Sequence, residues 1–212
     1  MKIGGLQKNS FIDYPGKISC VIFLSGCNFD CPYCHNPELA RGIAAQGHFL
    51  SPDAIYSFLA ERKDFLDGVV ISGGEPTLQD DLPDFCENIK AMGYPLKLDT
   101  NGSRPQIIER LIDNSLVDYV AMDIKTDPQS YADLIMKHDP IDAIPASIGH
   151  VMDSGIPYEF RTTCVKPIVS AQIVASIARL IRGAMLFVLQ RFNDQRVLYP
   201  EFFKGSVNSS AM

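Results

Sequence analysis

Short apolar runs alternate with amphipathic segments along most of the chain. The runs are rich in Val, Ile, Leu and Tyr, and they are apolar at consecutive positions rather than at every second one. Strands that are apolar on both faces are typical of a parallel sheet covered by helices. The predicted strands are residues 18–24, 68–72, 96–99, 119–124, 158–165 and 185–189.

The segments between these runs have apolar residues at helical spacing and carry the signals that begin and end helices. Ser51 is a predicted N-cap before a first-turn proline, and Gly93 and Gly183 each follow a helix and end it. Residues 9–16, with a Pro-Gly turn signal, are predicted to form a loop or a short hairpin. Five helical regions are predicted. The first starts at Ser51, the second covers 80–92, and the third contains Ile107 and Leu111. The fourth spans 127–155 with breaks near Pro140 and Pro145, and the fifth covers 171–182.

Six strand-helix cycles predict an α/β fold. Units of about 30 residues suit right-handed connections between parallel strands, whereas a complete eight-stranded barrel usually needs about 250 residues. We therefore expect the 212 residues to form a partial, open (β/α)6 barrel of parallel strands. One domain is expected over residues 1–203, followed by a disordered tail over 204–212, where Gly, Ser and Asn dominate. In such folds the chemistry lies at the carboxyl ends of the strands.

Composition and charge exclude several classes of function. The net charge is −6 and no run of Lys or Arg exceeds two residues, so the sequence does not predict a nucleic-acid partner. No apolar run approaches the roughly 20 residues of a membrane-spanning helix, and the first residues lack the apolar core of a signal peptide. We expect a cytoplasmic protein without a membrane partner, in a compartment where thiols stay reduced.

Three cysteines lie close together directly after the first predicted strand. Cys27, Cys31 and Cys34 have the spacing C-x3-C-x2-C, and we call residues 27–34 the cysteine loop. Three thiolates on one loop can converge on a single inorganic centre, but a structural zinc ion or an electron-transfer cluster normally takes four protein ligands. Three ligands therefore leave one coordination position open, where a small molecule could bind iron directly.

The other three cysteines are expected to pack as small hydrophobic side chains. Cys20 and Cys164 lie in predicted strands, and Cys86 lies on the apolar face of the predicted helix over 80–92. Six cysteines in a reducing compartment do not predict a disulfide framework.

Glycine-rich and charged motifs follow the other predicted strands. They are Gly73-Gly74-Glu75-Pro76, Asp99-Thr100-Asn101-Gly102, Asp123-Ile124-Lys125 and Gln190-Arg191. Because the carboxyl ends of parallel strands meet at one edge of the sheet, we expect these motifs to share one site with the cysteine loop.

These motifs resemble those of the radical S-adenosylmethionine (SAM) superfamily. The cysteine loop has an aromatic residue, Tyr33, before its last cysteine, and a glycine-glycine-glutamate-proline strand end follows it. Within the superfamily, residues 10–16, 26–38, 99–102 and 123–125 are similar to those of glycyl-radical-enzyme activases, most of all those that activate anaerobic ribonucleoside-triphosphate reductase. The likeness extends from about Gly4 to Phe203.

The resemblance implies a cluster and a cofactor. Cys27, Cys31 and Cys34 would hold three irons of a 4Fe–4S cluster, and the amino and carboxylate groups of SAM would chelate the fourth. A low-potential electron would cleave SAM reductively, and the resulting 5′-deoxyadenosyl radical would take a hydrogen atom from a glycine of a partner enzyme.

The resemblance also implies residues that surround the cofactor. The two glycines after the second predicted strand would let the backbone approach the cofactor amino group, because they lack a Cβ. Lys125 would pair with the cofactor carboxylate, and Asp99 and Asp123 would balance the sulfonium charge or bind a monovalent cation. The implied cofactor-binding residues are Tyr33, Gly73, Gly74, Glu75, Asp99, Asp123, Lys125, Arg161, Thr163 and Gln190.

The resemblance implies roles for five residues at the adenine, at the ribose or carboxylate of the cofactor, and at the glycine loop of the partner. Tyr33 and Gln190 would lie near the adenine, and Arg161 and Thr163 would contact the ribose or the carboxylate. Asp13 would help to hold the incoming glycine loop of the partner. The implied partners are a glycyl-radical enzyme, foremost anaerobic ribonucleotide reductase, and a low-potential electron donor such as flavodoxin or ferredoxin.

Three alternatives remain open. The first is an activase of another glycyl-radical enzyme, such as pyruvate formate-lyase, although the sequence lacks the second cysteine-rich insertion that some of these activases have. The second is a radical SAM enzyme that acts on a small molecule, of the deazapurine synthase type. The third is a non-catalytic zinc-binding module whose ligands would be the three cysteines of the loop and His35.

Overall fold

A computed structural model describes residues 1–44, 47–131, 142–193 and 195–203. At its centre is a seven-stranded sheet in which the strands follow their order in the chain. The strands are β1 (Ile3–Ser10), β2 (Ser19–Leu24), β3 (Gly68–Gly73), β4 (Leu96–Thr100), β5 (Tyr119–Asp123), β6 (Tyr158–Cys164) and β7 (Phe187–Arg191). The expected tail over 204–212 and the expected break near Pro140 lie outside the described residues.

The six predicted strands are present as β2 to β7, and each pairs in parallel with the next. Among the described strands, β1 and β7 form the two edges and do not pair with each other, so the barrel is partial and open as predicted.

The prediction of six strands was one short, because β1 pairs antiparallel with β2 and extends the sheet. The segment over 9–16 largely forms the connection between these two strands, consistent with the hairpin prediction.

Helices cover the connections between the parallel strands. Ser51 accepts a hydrogen bond from Ala54 N at 3.2 Å, so the predicted N-cap is confirmed, and Ser170 caps a later helix by accepting one from Ile173 N at 3.3 Å. None of the helices in the described ranges is long and apolar enough to cross a membrane. The helices are α1 (Pro37–Ala40), α2 (Pro52–Glu61), α3 (Leu82–Ala91), α4 (Pro105–Asp113), α5 (Ala143–Met152) and α6 (Ala171–Leu180).

The core lies mainly between the sheet and the helices, where the apolar side chains of β2 to β6 are buried. Cys20 and Cys86 are fully buried in it, as predicted. The prediction for Cys164 was wrong, because this thiol is exposed. Cys164 is the last residue of β6, and the burial of alternate residues in that strand ends at Thr162.

Candidate functional site

A cleft of about 260 Å³ lies at the carboxyl ends of the parallel strands. It brings together most of the residues that the sequence singled out, whereas Glu75, Asp99 and Asp13 do not line it. Phe29, His35 and Asn36 also line the cleft. No cofactor role was predicted for these three residues, although their positions inside or next to the cysteine loop were a signal. The predicted residues in the lining are Cys27, Cys31, Tyr33, Cys34, Gly73, Gly74, Asp123, Lys125, Arg161, Thr163 and Gln190.

Backbone hydrogen bonds fix the two ends of the cysteine loop. Gly26 N donates to Leu39 O at 2.7 Å, and Cys27 N donates to Ala40 O at 3.1 Å, so α1 holds the start of the loop. Cys34 N donates to the Cys31 carbonyl at 3.0 Å and closes a tight turn at its end. The three thiols are therefore presented from one short, turned segment.

Two asparagine side chains link the cysteine loop to the end of β4. Asn101 Nδ2 donates to Asn28 Oδ1 at 3.0 Å, and Asn28 Nδ2 donates to Ser103 Oγ at 2.8 Å. Asn101 Nδ2 also lies 3.9 Å from Cys27 Sγ. The motif after β4 thus holds the cysteine loop, a role that the sequence did not reveal.

Burial controls the ionisation of the three thiols. It raises the pKa of Cys27 and of Cys31 to about 12, and it also raises the pKa of Cys34. The positive charge of Lys125 opposes this shift at each thiol without cancelling it. Such thiols hold their protons at neutral pH, so a metal that binds them must displace protons.

The donor set fits an iron–sulfur cluster. Among the described residues, no three His, Cys, Asp or Glu side chains are grouped as ligands of one metal ion. Three soft thiol donors on one wall suit a cluster, in which each thiolate can bind its own iron. The buried hydroxyl of Tyr33, in the same wall, has no hydrogen-bond partner within the described ranges.

Backbone crowding explains the two glycines after β3. A Cβ on Gly73 would lie 2.2 Å from Leu24 O, and a Cβ on Gly74 would lie 2.1 Å from Gly26 O. Gly74 N donates to Leu24 O at 2.9 Å, and Glu75 N donates to Gly26 O at 2.8 Å. The glycines therefore allow this backbone to pair with the residues that lead into the cysteine loop, a reason different from the expected approach of a cofactor.

Glu75 is fully buried and links the ends of two strands. Its Oε1 accepts hydrogen bonds from Thr77 N at 3.1 Å and Thr100 Oγ1 at 2.7 Å, and its Oε2 accepts one from Asn101 N at 2.6 Å. Burial raises the pKa of Glu75, and these hydrogen bonds oppose that shift. In this arrangement Glu75 supports the cleft indirectly, because it fixes Asn101, whose side chain holds the cysteine loop.

Asp123, Lys125 and Arg161 form an ion-pair network on the wall of the cleft. Asp123 Oδ2 lies 2.8 Å from Lys125 Nζ, and Asp123 Oδ1 lies 2.7 Å from Arg161 Nε. Burial disfavours each charge, but the attraction between them outweighs it: the pKa of Asp123 is held well below its usual range, and the pKa values of Lys125 and Arg161 are raised. All three side chains are therefore charged at neutral pH.

Asp99 does not line the cleft, but it joins the same ion-pair network through Arg161. Its Oδ1 lies 2.7 Å from Lys97 Nζ and 3.4 Å from Arg161 Nη1. Arg161 Nη1 also lies 3.8 Å from Glu159 Oε1. Three acids and three cations thus balance in charge, all of them on β4 to β6 except Lys125, which lies two residues after β5. Arg161 contacts all three of the acids.

The last two parallel strands complete the wall. Burial alternates along β6, so Arg161 and Thr163 point away from the core into which Phe160 and Thr162 pack. Thr163 pairs in register with Gln190 of β7, and Thr163 Oγ1 donates to Gln190 Oε1 at 3.4 Å.

Asp13 lies in a neighbouring cavity of about 290 Å³ that shares Arg161 and Gln190 with the cleft. Ser10 Oγ donates to Asp13 Oδ2 at 2.5 Å and accepts from Asp13 N at 3.2 Å, so the turn after β1 holds the carboxylate. The residue before it, Ile12, is 88% exposed. A segment that enters this second cavity would come next to the cleft.

Comparison with known proteins identifies relatives of both the sequence and the fold. The family model described as "Radical SAM superfamily" matches residues 21–180 of this chain. A protein of Methanocaldococcus jannaschii named as a glycyl-radical enzyme activating enzyme is 37% identical over 211 residues, which cover 95% of this chain and 84% of that protein. The pyruvate formate-lyase-activating enzyme of Listeria monocytogenes is 31% identical over 148 residues, which cover 64% of this chain and 58% of that protein.

A solved structure is similar in fold. The crystal structure of Streptococcus suis SuiB bound to precursor peptide SuiA aligns with a TM-score of 0.64 and 17% sequence identity. The alignment covers 82% of this chain and 39% of that chain. At this identity the likeness supports the partial barrel and nothing beyond it.

Proposed function

Because this chain belongs to the radical SAM superfamily and to the glycyl-radical-enzyme activases within it, we propose that it cleaves SAM reductively and generates a glycyl radical on anaerobic ribonucleoside-triphosphate reductase. The observation that carries the proposal is the pair of adjoining cavities. One is lined by three thiols and an ion-pair network, and the other, beside Asp13, meets it at Arg161 and Gln190. An open barrel with such a side cavity suits a protein loop as substrate.

The family implies SAM and a 4Fe–4S cluster, and the thiol donors of the cleft fit such a cluster. Cys27, Cys31 and Cys34 would hold the cluster after losing their protons. The chemistry that the bound pair supplies is reductive cleavage of the sulfonium and removal of a hydrogen atom from glycine. We propose a flavodoxin or a ferredoxin in the cytoplasm as the source of the electron.

The charged wall would orient the cofactor. Lys125 is the cation proposed to pair with the cofactor carboxylate, and Asp123 fixes its direction through the 2.8 Å contact. The negative charges of Asp123 and Asp99 would balance the sulfonium. Both oxygens of Asp123 already accept hydrogen bonds from cations, so the contacts of this carboxylate do not favour a monovalent-cation site.

The rest of the lining would contact the neutral parts of the cofactor. Gly73 and Gly74 present backbone at the cleft without side chains and would lie beside the amino group. Tyr33 and Gln190 would lie near the adenine, and Thr163 near the ribose. Glu75 would act through Asn101 and the cysteine loop rather than by direct contact.

Asp13 is proposed to hold the glycine loop of the partner. Its carboxylate is fixed by Ser10, it borders the second cavity, and the apolar side chains of Phe11 and Ile12 are exposed beside it. A loop that hydrogen-bonds to Asp13 would come close to Arg161 and Gln190, where the two cavities meet.

The choice of partner rests on the motifs over residues 10–16 and 26–38, while a relative that activates pyruvate formate-lyase supports the second candidate. The test is anaerobic incubation of the reconstituted, chemically reduced protein and SAM with either the reductase or the lyase of the encoding organism. A glycyl-radical doublet by electron paramagnetic resonance (EPR) on the reductase alone is expected. A doublet on the lyase alone would reassign the partner, and SAM cleavage with neither would favour a small-molecule substrate.

A further inference from the structure

The segment after β7 folds back onto the cysteine loop. Tyr199 N donates to Pro32 O at 3.0 Å, and the Tyr199 hydroxyl lies 2.9 Å and 3.0 Å from the two carboxylate oxygens of Asp30. Asp30 and Pro32 are the residues on either side of Cys31. We call residues 195–203 together with Phe192 the C-terminal strap. The strap thus contacts the side chain before the middle cysteine and the backbone after it.

Aromatic contacts extend this attachment toward the last cysteine. The Phe192 ring packs edge-on against Tyr33, with centroids 6.5 Å apart, and lies 6.0 Å from His35. The Phe192 ring also packs against Phe203, with centroids 5.1 Å apart. Because Tyr33 and His35 flank Cys34, the strap contacts the neighbours of two of the three thiol ligands.

A charged contact and a buried leucine anchor the strap itself. Arg196 forms an ion pair with Glu38 in α1, the helix that holds the start of the cysteine loop. Leu198 is 6% exposed and counts among the buried apolar side chains. The strap is therefore fixed to the body of the protein at points next to Tyr199.

We infer that the C-terminal strap is a positioning device that keeps Cys31 buried in the wall of the cleft and so retains the cluster. The hydrogen bonds noted above fix the start and end of the loop, whereas Tyr199 reaches its middle. Residues 195–203 do not line the cleft, so the strap acts on the loop and not on a bound cofactor. The part that concerns the cluster rests on the proposed function.

The first arm of the test uses the protein without metal. Thiol alkylation is followed site by site by mass spectrometry in wild type, Tyr199→Phe and Phe192→Ala, with Tyr56→Phe as a matched loss of a tyrosine hydroxyl far from the loop. Removing a hydrogen bond to a carboxylate should speed alkylation of Cys31 roughly 3- to 10-fold in Tyr199→Phe. Phe192→Ala should speed it at Cys31 and Cys34. The buried Cys20 and Cys86 should react as in wild type.

Two results would overturn the inference. One is a wild-type alkylation rate of Cys31 in Tyr199→Phe, a variant that lacks a single oxygen atom and so keeps the packing. The other is an equal rise at Cys20 and Cys86, which would mean that the strap contributes only general stability. This arm requires no cluster, so a protein that binds no iron would refute the proposed function and still give an answer about the strap.

The second arm uses the reconstituted protein. Release of iron to a chelator, followed by visible absorbance, should be several-fold faster in both strap variants than in Tyr56→Phe, at unchanged melting temperature of the metal-free protein. The EPR spectrum of the reduced cluster should also change in the strap variants, since one ligand is less fixed. Equal release rates and an unchanged spectrum in all four proteins would contradict the role in cluster retention.

Discussion

Arg161 Nε lies 2.7 Å from Asp123 Oδ1, and this contact joins two neighbouring parallel strands at the wall of the cleft. The other carboxylate oxygen of Asp123 accepts a hydrogen bond from Lys125 at 2.8 Å. One carboxylate therefore orients two cations, and the direction in which Lys125 meets a bound anion depends on Asp123.

Replacing Lys125 should weaken SAM binding while leaving the fold intact. Loss of a partly buried charge that pairs with the cofactor carboxylate should raise the dissociation constant at least about 10-fold. Equilibrium binding of SAM to reconstituted Lys125→Gln measures this. Lys90→Gln is the matched control, because Lys90 also pairs with an aspartate but lies on the outside of the barrel. Equal affinities in Lys125→Gln and wild type would remove Lys125 from the cofactor site.

Asp123 should make the stability of the protein depend on acid pH. In the folded protein its pKa is depressed, whereas in the unfolded chain it returns to about 4. Below that pH the unfolded state binds more protons, so the contribution of Asp123, present above about pH 4, is lost as the pH falls. At neutral pH, Asp123→Asn should reduce the free energy of unfolding by about 2 kcal/mol.

Urea unfolding at several pH values below neutrality tests this difference. The gap in unfolding free energy between wild type and Asp123→Asn should narrow steadily as the pH falls below about 4. The exposed-site variant Asp113→Asn should keep the wild-type slope. A gap that stays constant down to the acid transition would show that Asp123 is not stabilised by its cations.

Gly74→Ala should disrupt the start of the cysteine loop. Its Cβ would lie 2.1 Å from the carbonyl oxygen of Gly26, and backbone cannot give way as a flexible side chain can. We expect a loss of more than about 2 kcal/mol of stability and poor iron incorporation. Gly149→Ala is the control, since a Cβ there has no neighbour within 4 Å and the helix should gain up to about 1 kcal/mol. Similar melting temperatures for the two variants would contradict the crowding argument.

Glu75→Gln should destabilise the junction between β3 and β4. An amide nitrogen cannot accept a hydrogen bond, so either Asn101 N or the donors from Thr77 and Thr100 would lose their acceptor. The expected cost is about 1–3 kcal/mol, measured by chemical unfolding, with a lower iron content after reconstitution. Glu87→Gln, on the exposed face of α3, should behave as wild type. An unchanged stability with weaker SAM binding would instead place Glu75 in direct contact with the cofactor.

The parallel strands could be predicted because their signal is local. The run over 119–124, for example, is apolar at almost every position and matches β5 (Tyr119–Asp123) closely. By contrast, β1 contains two glycines and the exposed residues Gln7, Lys8 and Asn9, so its own sequence does not favour a strand. It is ordered by pairing with β2, a tertiary contact that periodicity cannot reveal.

The site was predictable as a set of motifs but not as a network. The cysteines and strand ends carry recognisable residue types, so they could be picked out from the sequence. Most of them line one cleft. Glu75 was placed on the cofactor by its motif, yet it is turned into the protein by donors from two different strand ends. The strap was missed because Tyr199 contacts Asp30 across 169 residues, and its flanking sequence is polar and irregular.

The most direct test of the central claim is the formation of 5′-deoxyadenosine from SAM. The protein is reconstituted anaerobically with iron and sulfide, reduced, and compared with Cys31→Ala and Cys86→Ala, which removes a buried thiol of the core. We predict product with wild type and with Cys86→Ala, and none with Cys31→Ala. Zinc bound by wild type in place of a cluster, with no cleavage of SAM, would contradict the account.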